Sequence, residues 1–240
     1  IGNSAAAIGC IEGIRQNDPT GPIVVISSEP YHTYSRPLIS YWLGGSVTEE
    51  NMSYRDVDFY KKNHCVTLLG KKVRQIVSGT KSLILEDGDV IRYDKLLIAT
   101  GSTPVIPPIS GLEDVEKKST FLSLDDAHKV KQMLEPSSRV LVLGAGLIGL
   151  KAAEGLHGQC ASITVVDMAD RILPSILDEA ASKLVQQHIE AQGIQILLGD
   201  SVCEFQKNKA FTSTGKEIPF DVLIIAVGVR PNTALAAEAG

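Results

Sequence analysis

Residues 140–167 carry the pattern that most restricts how this chain can fold. An apolar run, Val140-Leu141-Val142-Leu143, leads into Gly144-Ala145-Gly146-Leu147-Ile148-Gly149. A second β-branched run, Ile163-Thr164-Val165-Val166, then ends in Asp167. A strand that turns on glycines into a helix, followed by a strand closed by an acid, reads as a βαβ unit. Gly144 permits the tight turn, Gly146 lets the backbone approach a diphosphate, and Gly149 lets helix and strand pack closely. Free N–H groups and the helix dipole favour an anion at the start of that helix. The glycine motif alone is common; strand, helix and distal acid together make it specific.

The plan occurs earlier in altered form. Gly2-Asn3-Ser4-Ala5-Ala6-Ala7 opens a run of small residues, Ile23-Val24-Val25-Ile26 follows, and Glu29 stands just beyond. Ser4 takes the place of the second glycine and Ala7 of the third. Both are small enough for close approach to a phosphate, and Ser4 adds a hydroxyl donor. Only Ile1 precedes Gly2, so the chain reads as a piece of a longer protein, with most of its first strand ahead of residue 1. Two copies predict an α/β protein of two nested Rossmann-like, three-layer ββα dinucleotide-binding domains. They are expected over residues 1–109 and 110–232, with 233–240 beginning a return to the first. Pro104, Pro107 and Pro108 mark the first boundary.

Short helical stretches are expected to Leu43 and over Tyr54 to Lys62. Strands are expected near Val66–Leu68, Val73–Val77, Ser82–Leu85, Val90–Ile91 and Leu96–Ala99, with an Asp87-Gly88 turn. In the second half, helices are expected over Leu124–Leu134 and Asp178–Ala191, the latter stopping at Gly193. Strands are expected near Ile194–Leu197, Val202–Phe205, Ala210–Thr212 and Val222–Ala226, and a helix start at Asn232.

Asp167 has the chemistry to accept hydrogen bonds from ribose hydroxyls, and its charge repels a 2′-phosphate. Met168 and Ala169 add no cation, although Arg171 is near, so NADH is favoured over NADPH. Hydrophobic residues make up 44% and charged residues 21%, an ordinary globular profile. A net charge of −5 signals no surface for nucleic acid or acidic membranes. No apolar run approaches the ~20 residues of a membrane span. Cys10, Cys65, Cys160 and Cys203 match neither zinc-site nor Cys-x-x-Cys spacing. They read as reduced thiols of a cytoplasmic protein, and no metal site is expected.

Five further motifs occur in order: Ser28-Glu29-Pro30, Tyr34-Ser35-Arg36-Pro37-Leu38, Ala99-Thr100-Gly101, Arg171-Ile172-Leu173-Pro174 and Gly228-Val229-Arg230-Pro231-Asn232. With the two turns, they make essentially the whole chain resemble the two-dinucleotide flavoproteins. These are the pyridine nucleotide–disulfide oxidoreductases and, nearest among them, the NADH:rubredoxin reductases and the nitrite-reductase-like group. The resemblance implies an FAD-dependent NAD(P)H oxidoreductase. Hydride would pass from NADH to FAD, and electrons to a small redox protein such as rubredoxin or ferredoxin, or to a small molecule.

The resemblance also implies site residues. Gly2, Asn3, Ser4, Ala5 and Ala6 would meet the FAD diphosphate, and Glu29, beside Pro30, the adenosine ribose. Arg36 and Pro37 would line the phosphate and flavin, Lys72 and Val73 would lie at the adenine, and Ala99, Thr100 and Gly101 would close over the FAD. Gly144, Gly146, Leu147, Ile148, Gly149, Asp167, Met168 and Arg171 would bind NADH, with Ala226, Val227 and Gly228 near it. Relatives continue into another FAD-binding segment and a C-terminal interface domain, which offers a route to a homodimer.

Two departures stand out. Disulfide-reducing relatives carry a redox cysteine pair, and peroxide-reducing ones a single cysteine, where this chain has Ser35-Arg36-Pro37-Leu38-Ile39-Ser40. Thiol chemistry is therefore not expected. Relatives also often place a Lys and a Glu where this chain has Tyr41 and Lys151. Lys151 is expected as the cation beside the reactive flavin edge, with Tyr41 nearby; the alternative leaves it in solvent. Other readings of the whole are a nitrite reductase flavin module, a cysteine-less NADH oxidase, or a non-enzymatic FAD/NADH-sensing module.

Overall fold

The computed structural model describes residues 1–240. It divides into two compact units: Ile1–Ser35 with Glu49–Thr103 and Pro231–Gly240, and Arg36–Thr48 with Pro104–Arg230. Both are mixed α/β with a parallel sheet. The breaks fall several residues before 109 and close to 232, and residues 36–48 group with the second unit.

In the first unit, the Ala5–Arg15 helix buries Ala7, Ile8 and Ile11 on one face. Ile8 and Ile11 pack on Val25, Phe59 and Tyr60. Strand Ile23–Ser27 runs parallel to Cys65–Leu69. Successive strand residues point to opposite faces, so Ile26 meets the other side, against Val73, Ile76, Leu83 and Leu85. Those four belong to the antiparallel meander Val73–Val77, Ser82–Leu85 and Val90–Arg92. Helix, sheet and meander make three layers.

Two expectations for this unit fail. Leu96–Ala99 forms no strand: its backbone bonds to Ile1 are those from Ala99 N to Ile1 O and from the Ile1 amino group to Leu97 O. Only Phe59–Lys62 of the segment from Tyr54 is α-helical. Tyr54 N is taken by Thr33 O at 3.0 Å, which holds that stretch against the preceding loop instead of in a helical turn.

The second unit is built on a five-stranded parallel sheet. Its spatial order is Gln195–Leu198, Ser162–Asp167, Arg139–Leu143, Val222–Ile225, Lys118–Thr120. Strand Val222–Ile225 is buried throughout, as expected of a parallel strand covered on both faces. Leu141, Leu143, Leu223 and Ile225 pack on Phe205, Ala210, Ile218 and Phe220 of a second meander and the loop after it. Helices Leu124–Met133 and Leu147–Leu156 pack on the sheet. Ser123 and Asp126 form a capping box at the start of the first of these, and Asp178 caps Glu179–Ala191. At the lower edge of the sheet, Arg139 donates to both Asp221 oxygens from its side chain and to one from its backbone. These bonds hold the Asp221 carboxyl down at about 2.

The sheet order reverses between Arg139–Leu143 and Val222–Ile225. The chain runs from Lys118–Thr120 at one edge to Arg139–Leu143, goes on outward to Ser162–Asp167 and Gln195–Leu198, and returns through the meander to Val222–Ile225 between the first two. A crevice beyond their carboxyl ends is where open α/β sheets take ligands.

Candidate functional site

At that crevice Gly144 has φ +105°, and a Cβ on it would lie 2.3 Å from Ala226 O. A Cβ on Gly149 would lie 1.9 Å from Gly144 O, whereas one on Gly146 meets nothing within 4 Å. Gly146 is the N-cap of Leu147–Leu156, and no side chain caps it. The first N–H groups of that helix, from Leu147, Ile148 and Gly149, therefore have no capping acceptor. Leu147, Met168 and Val227 expose apolar side chains around this turn, Met168 to 78%. Ala226, half-buried, leads from the Val222–Ile225 strand to exposed Gly228.

Asp167 stands at the end of the neighbouring strand. Its carboxylate accepts from Ala145 N at 2.6 Å and from Ala169 N at 2.8 Å. Leu173 N donates to Ala145 O at 3.1 Å. The Ala145 residue is thus held at both its N–H and its carbonyl. Arg171 pairs with Asp170 at 3.3 Å and donates to Pro174 O.

The first turn has the same construction. Gly2 has φ +114°, and a Cβ on it would lie 2.2 Å from Ala99 O. Ser4 is the N-cap of Ala5–Arg15, with no side-chain cap bond; Ala5 and Ala6 are exposed. Asn3 Nδ2 donates to Tyr31 O. Glu29 accepts from the Tyr34 hydroxyl at 2.7 Å, and its backbone carbonyl accepts from Gly70 N, which brings Pro30 beside Gly70. Thr100 and Asn232 exchange two bonds, Thr100 Oγ1 to Asn232 O and Asn232 Nδ2 to Thr100 O, and Asn232 N donates to Gly101 O.

The remaining expected residues lie on other elements. Val73 is a core residue of the meander. Lys72 is exposed and paired with Glu86 at 2.7 Å. Arg36, in the second unit with Pro37, donates to Leu122 O at 3.1 Å. Gly155 lets helix Leu147–Leu156 approach Ile39–Leu43 at backbone distance, since a Cβ there would lie 2.6 Å from Ser40 O. That approach sets the Lys151 ammonium 4.0 Å from the centroid of the Tyr41 ring and in an ion pair with Glu154. Partial burial works against the ammonium, but bonds to Glu154 and Tyr41 outweigh it and raise its pKa above the ordinary lysine value. Tyr60 and Glu154 carry no sequence motif; their partners lie on another segment or one helical turn away.

All four cysteines are free thiols. Burial raises the Cys65 and Cys160 thiols above their ordinary range, which disfavours the thiolate. No helix is long and apolar enough to cross a membrane.

A family model described as pyridine nucleotide-disulphide oxidoreductase matches residues 1–240. The chain belongs to this family. Among pyridine nucleotide-disulphide oxidoreductase relatives, the NADH-dependent phenylglyoxylate dehydrogenase subunit epsilon of Aromatoleum evansii is 32% identical over 96% of this chain and 55% of its own length. The assimilatory nitrate reductase electron transfer subunit of Bacillus subtilis is 33% identical over 100% of this chain and 32% of its own. The reductase of a covalent putidaredoxin reductase–putidaredoxin complex superposes with a TM-score of 0.92 at 27% identity, covering 100% of this chain and 60% of that one. The chain thus spans about a third to three-fifths of the length of these three proteins.

Proposed function

We propose that this chain is the dinucleotide-binding part of an FAD-dependent NADH oxidoreductase. NADH gives hydride to FAD, and electrons pass to a small redox protein, such as a rubredoxin or ferredoxin, or to a small molecule. The observation that carries this reading is the doubled turn. Gly2 and Gly144 both have positive φ, both face a backbone carbonyl that excludes a side chain, and both precede a helix whose start no side chain caps. Residues of this kind fit a diphosphate. Two such seats in one chain support two dinucleotides, FAD on residues 1–109 and NADH on residues 110–232.

FAD, when bound, supplies the hydride-accepting ring; the chain supplies binding and electrostatics. Glu29, steadied by Tyr34, would accept from the FAD ribose, and Asp167 from the NADH ribose. The Asp167 carboxylate keeps lone pairs beyond its two backbone bonds, and Arg171, paired with Asp170, leaves its charge uncompensated. That supports NADH over NADPH. Asp167→Ala should narrow the preference, lowering the NADPH-to-NADH ratio of Kd values by roughly tenfold, the worth of one charge-assisted bond. An unchanged ratio in direct titrations would remove Asp167 from this role.

Lys151 is assigned to opposing the negative charge that hydride transfer leaves on FAD. Lys151→Met should slow single-turnover flavin reduction by NADH in the intact protein by about tenfold; an unchanged rate would return Lys151 to the surface. The raised thiols support an enzyme that is not a dithiol disulfide reductase, and four unpaired cysteines support a cytoplasmic location.

The putidaredoxin reductase likeness supports a small redox protein as acceptor. A second reading, the flavin module of a nitrate- or nitrite-reducing enzyme, is supported by the Bacillus subtilis relative. Stopped-flow reoxidation of the intact, yellow, NADH-reduced protein by rubredoxin, ferredoxin, nitrite and oxygen separates them. An intact protein that took up no yellow chromophore would overturn both.

A further inference from the structure

Tyr60 lies in the first unit, on the short helix Phe59–Lys62, far in sequence from either glycine turn. Its side chain is buried beside Phe59, where a second phenylalanine would fill the same space. The hydroxyl is what a phenylalanine would lack. It donates to Asn3 Oδ1 at 2.5 Å and accepts from Thr33 N at 3.2 Å. Asn3, the residue between Gly2 and the helix cap Ser4, is pinned from its other side by its bond to Tyr31 O. One phenol therefore joins the first turn to loop 31–34, whose Tyr34 in turn donates to Glu29.

Burying a hydroxyl and a carboxamide is unfavourable unless their bonds are made. The same cluster holds two buried polar atoms with no partner in the chain, Thr33 Oγ1 and His32 Nε2, and the His32 ring packs edge-on against Tyr60 at 4.8 Å. This much polarity kept inside an apolar cluster marks a place where orientation matters more than burial. Burial raises the phenol pKa above its ordinary value, so it remains a donor to Asn3 at neutral pH.

We propose that Tyr60 is a positioning residue for FAD: through Asn3 it orients the diphosphate turn, and through Thr33 and loop 31–34 it orients the ribose acid Glu29. The role rests on the reading that the first turn seats FAD.

The test is a double-mutant cycle on FAD affinity, read by flavin fluorescence in the intact protein. Tyr60→Phe keeps the volume and the packing and should bind FAD roughly tenfold more weakly, the effect of one to two buried hydrogen bonds. Asn3→Ala should lose a similar factor. The double variant should lose clearly less than the product of the two single losses, because the two changes share the Tyr60–Asn3 bond while the bonds to Thr33 and Tyr31 are lost separately. If Asn3→Ala does not fold, Asn3→Asp replaces it. It keeps the acceptor for Tyr60 and loses the bond to Tyr31, so it should remain coupled to Tyr60→Phe.

Phe59→Leu, which loosens the same cluster without touching the network, should lower the melting temperature and leave FAD affinity within about twofold. Wild-type affinity in Tyr60→Phe, or losses that multiply in the double variant, would overturn the positioning role while leaving FAD binding intact. A wild-type protein that binds no FAD would instead overturn the reading beneath it, and this role with it.

Discussion

Gly146→Ala should melt within about a degree of the wild type yet bind NADH roughly tenfold more weakly, while Gly149→Ala should do damage of the opposite kind. The two glycines are three residues apart and serve different ends. A methyl on Gly146 meets nothing within 4 Å, and its φ of −77° suits any residue, so the fold has no use for a glycine there. In the proposed NADH seat, the bare Cα would allow close approach from outside by a diphosphate bonding to the free N–H groups at the helix start. Losing one good charge-assisted contact is worth about 1.5–3 kcal/mol, and 1.4 kcal/mol is tenfold in Kd. A methyl on Gly149 would sit 1.9 Å from Gly144 O, inside the joint between strand and helix. Overpacking of that kind costs about 1–3 kcal/mol or more, and it should appear in the unfolding curve whether or not NADH is present. Gly144→Ala combines a similar collision with an unfavourable positive φ. Denaturation of the unliganded protein and direct NADH titration of each variant measure the two effects separately. If Gly146→Ala unfolded as readily as Gly149→Ala, or bound NADH as the wild type does, the turn would not be a diphosphate seat.

The two turns were legible because their signals are local. A glycine that needs positive φ, a helix of small residues and a buried β-branched strand each leave a mark within a few residues, and in this chain the marks stand in order. The strand Lys118–Thr120 left none: it is a three-residue edge strand of Lys, Ser and Thr, recognisable only once Leu223–Ile225 lies beside it. Leu96–Ala99 misled for the converse reason: its composition is that of a strand, while pairing is a matter of long-range neighbours that composition does not show. Residues 36–48 group with the second unit because Gly155 admits their backbone, a fact about a glycine more than a hundred positions away. Lys151 beside Tyr41 was readable from a comparison of motifs; its pairing with Glu154 was not. Tyr60 with Asn3, and Thr100 with Asn232, are long-range hydrogen bonds with no periodicity to betray them.

Asp200 was equally silent in the sequence, and Asp200→Asn should lower the melting temperature at neutral pH more than Asp221→Asn does. Its side chain is almost fully buried, at 1% exposure, where that of Asp221 is 29% exposed. Its carboxylate accepts from Ser201 N, Ser213 Oγ, Thr214 N and Thr214 Oγ1. Burial pushes against the charge, but bonds from Thr214, Thr212, Ser213 and Ser201 outweigh it and hold the acid well below the usual carboxylate range. An asparagine would turn an NH2 group toward donors that need an acceptor, stranding them in the interior.

The sign of the pH dependence follows. A carboxyl whose folded pKa lies below its unfolded value, about 3.9, contributes stability that is fully present above that value and is lost as pH falls toward the folded pKa. Asp200→Asn should therefore flatten the acid limb of a plot of melting temperature against pH below about 4, leaving the residue due to Asp221. The consequence reaches the proposed nucleotide site. Asp200 N donates to Asp167 O, and the preceding Gly199 N donates to Ala169 O, so the Asp200 turn braces the backbone on both sides of Met168. NADH affinity in Asp200→Asn should fall even at temperatures where the variant is folded, because the acid at Asp167 is then less firmly aimed. Acid profiles that ran parallel in the variant and the wild type, with NADH affinity unchanged, would mean that the buried carboxylate supports neither the meander nor the ribose acid.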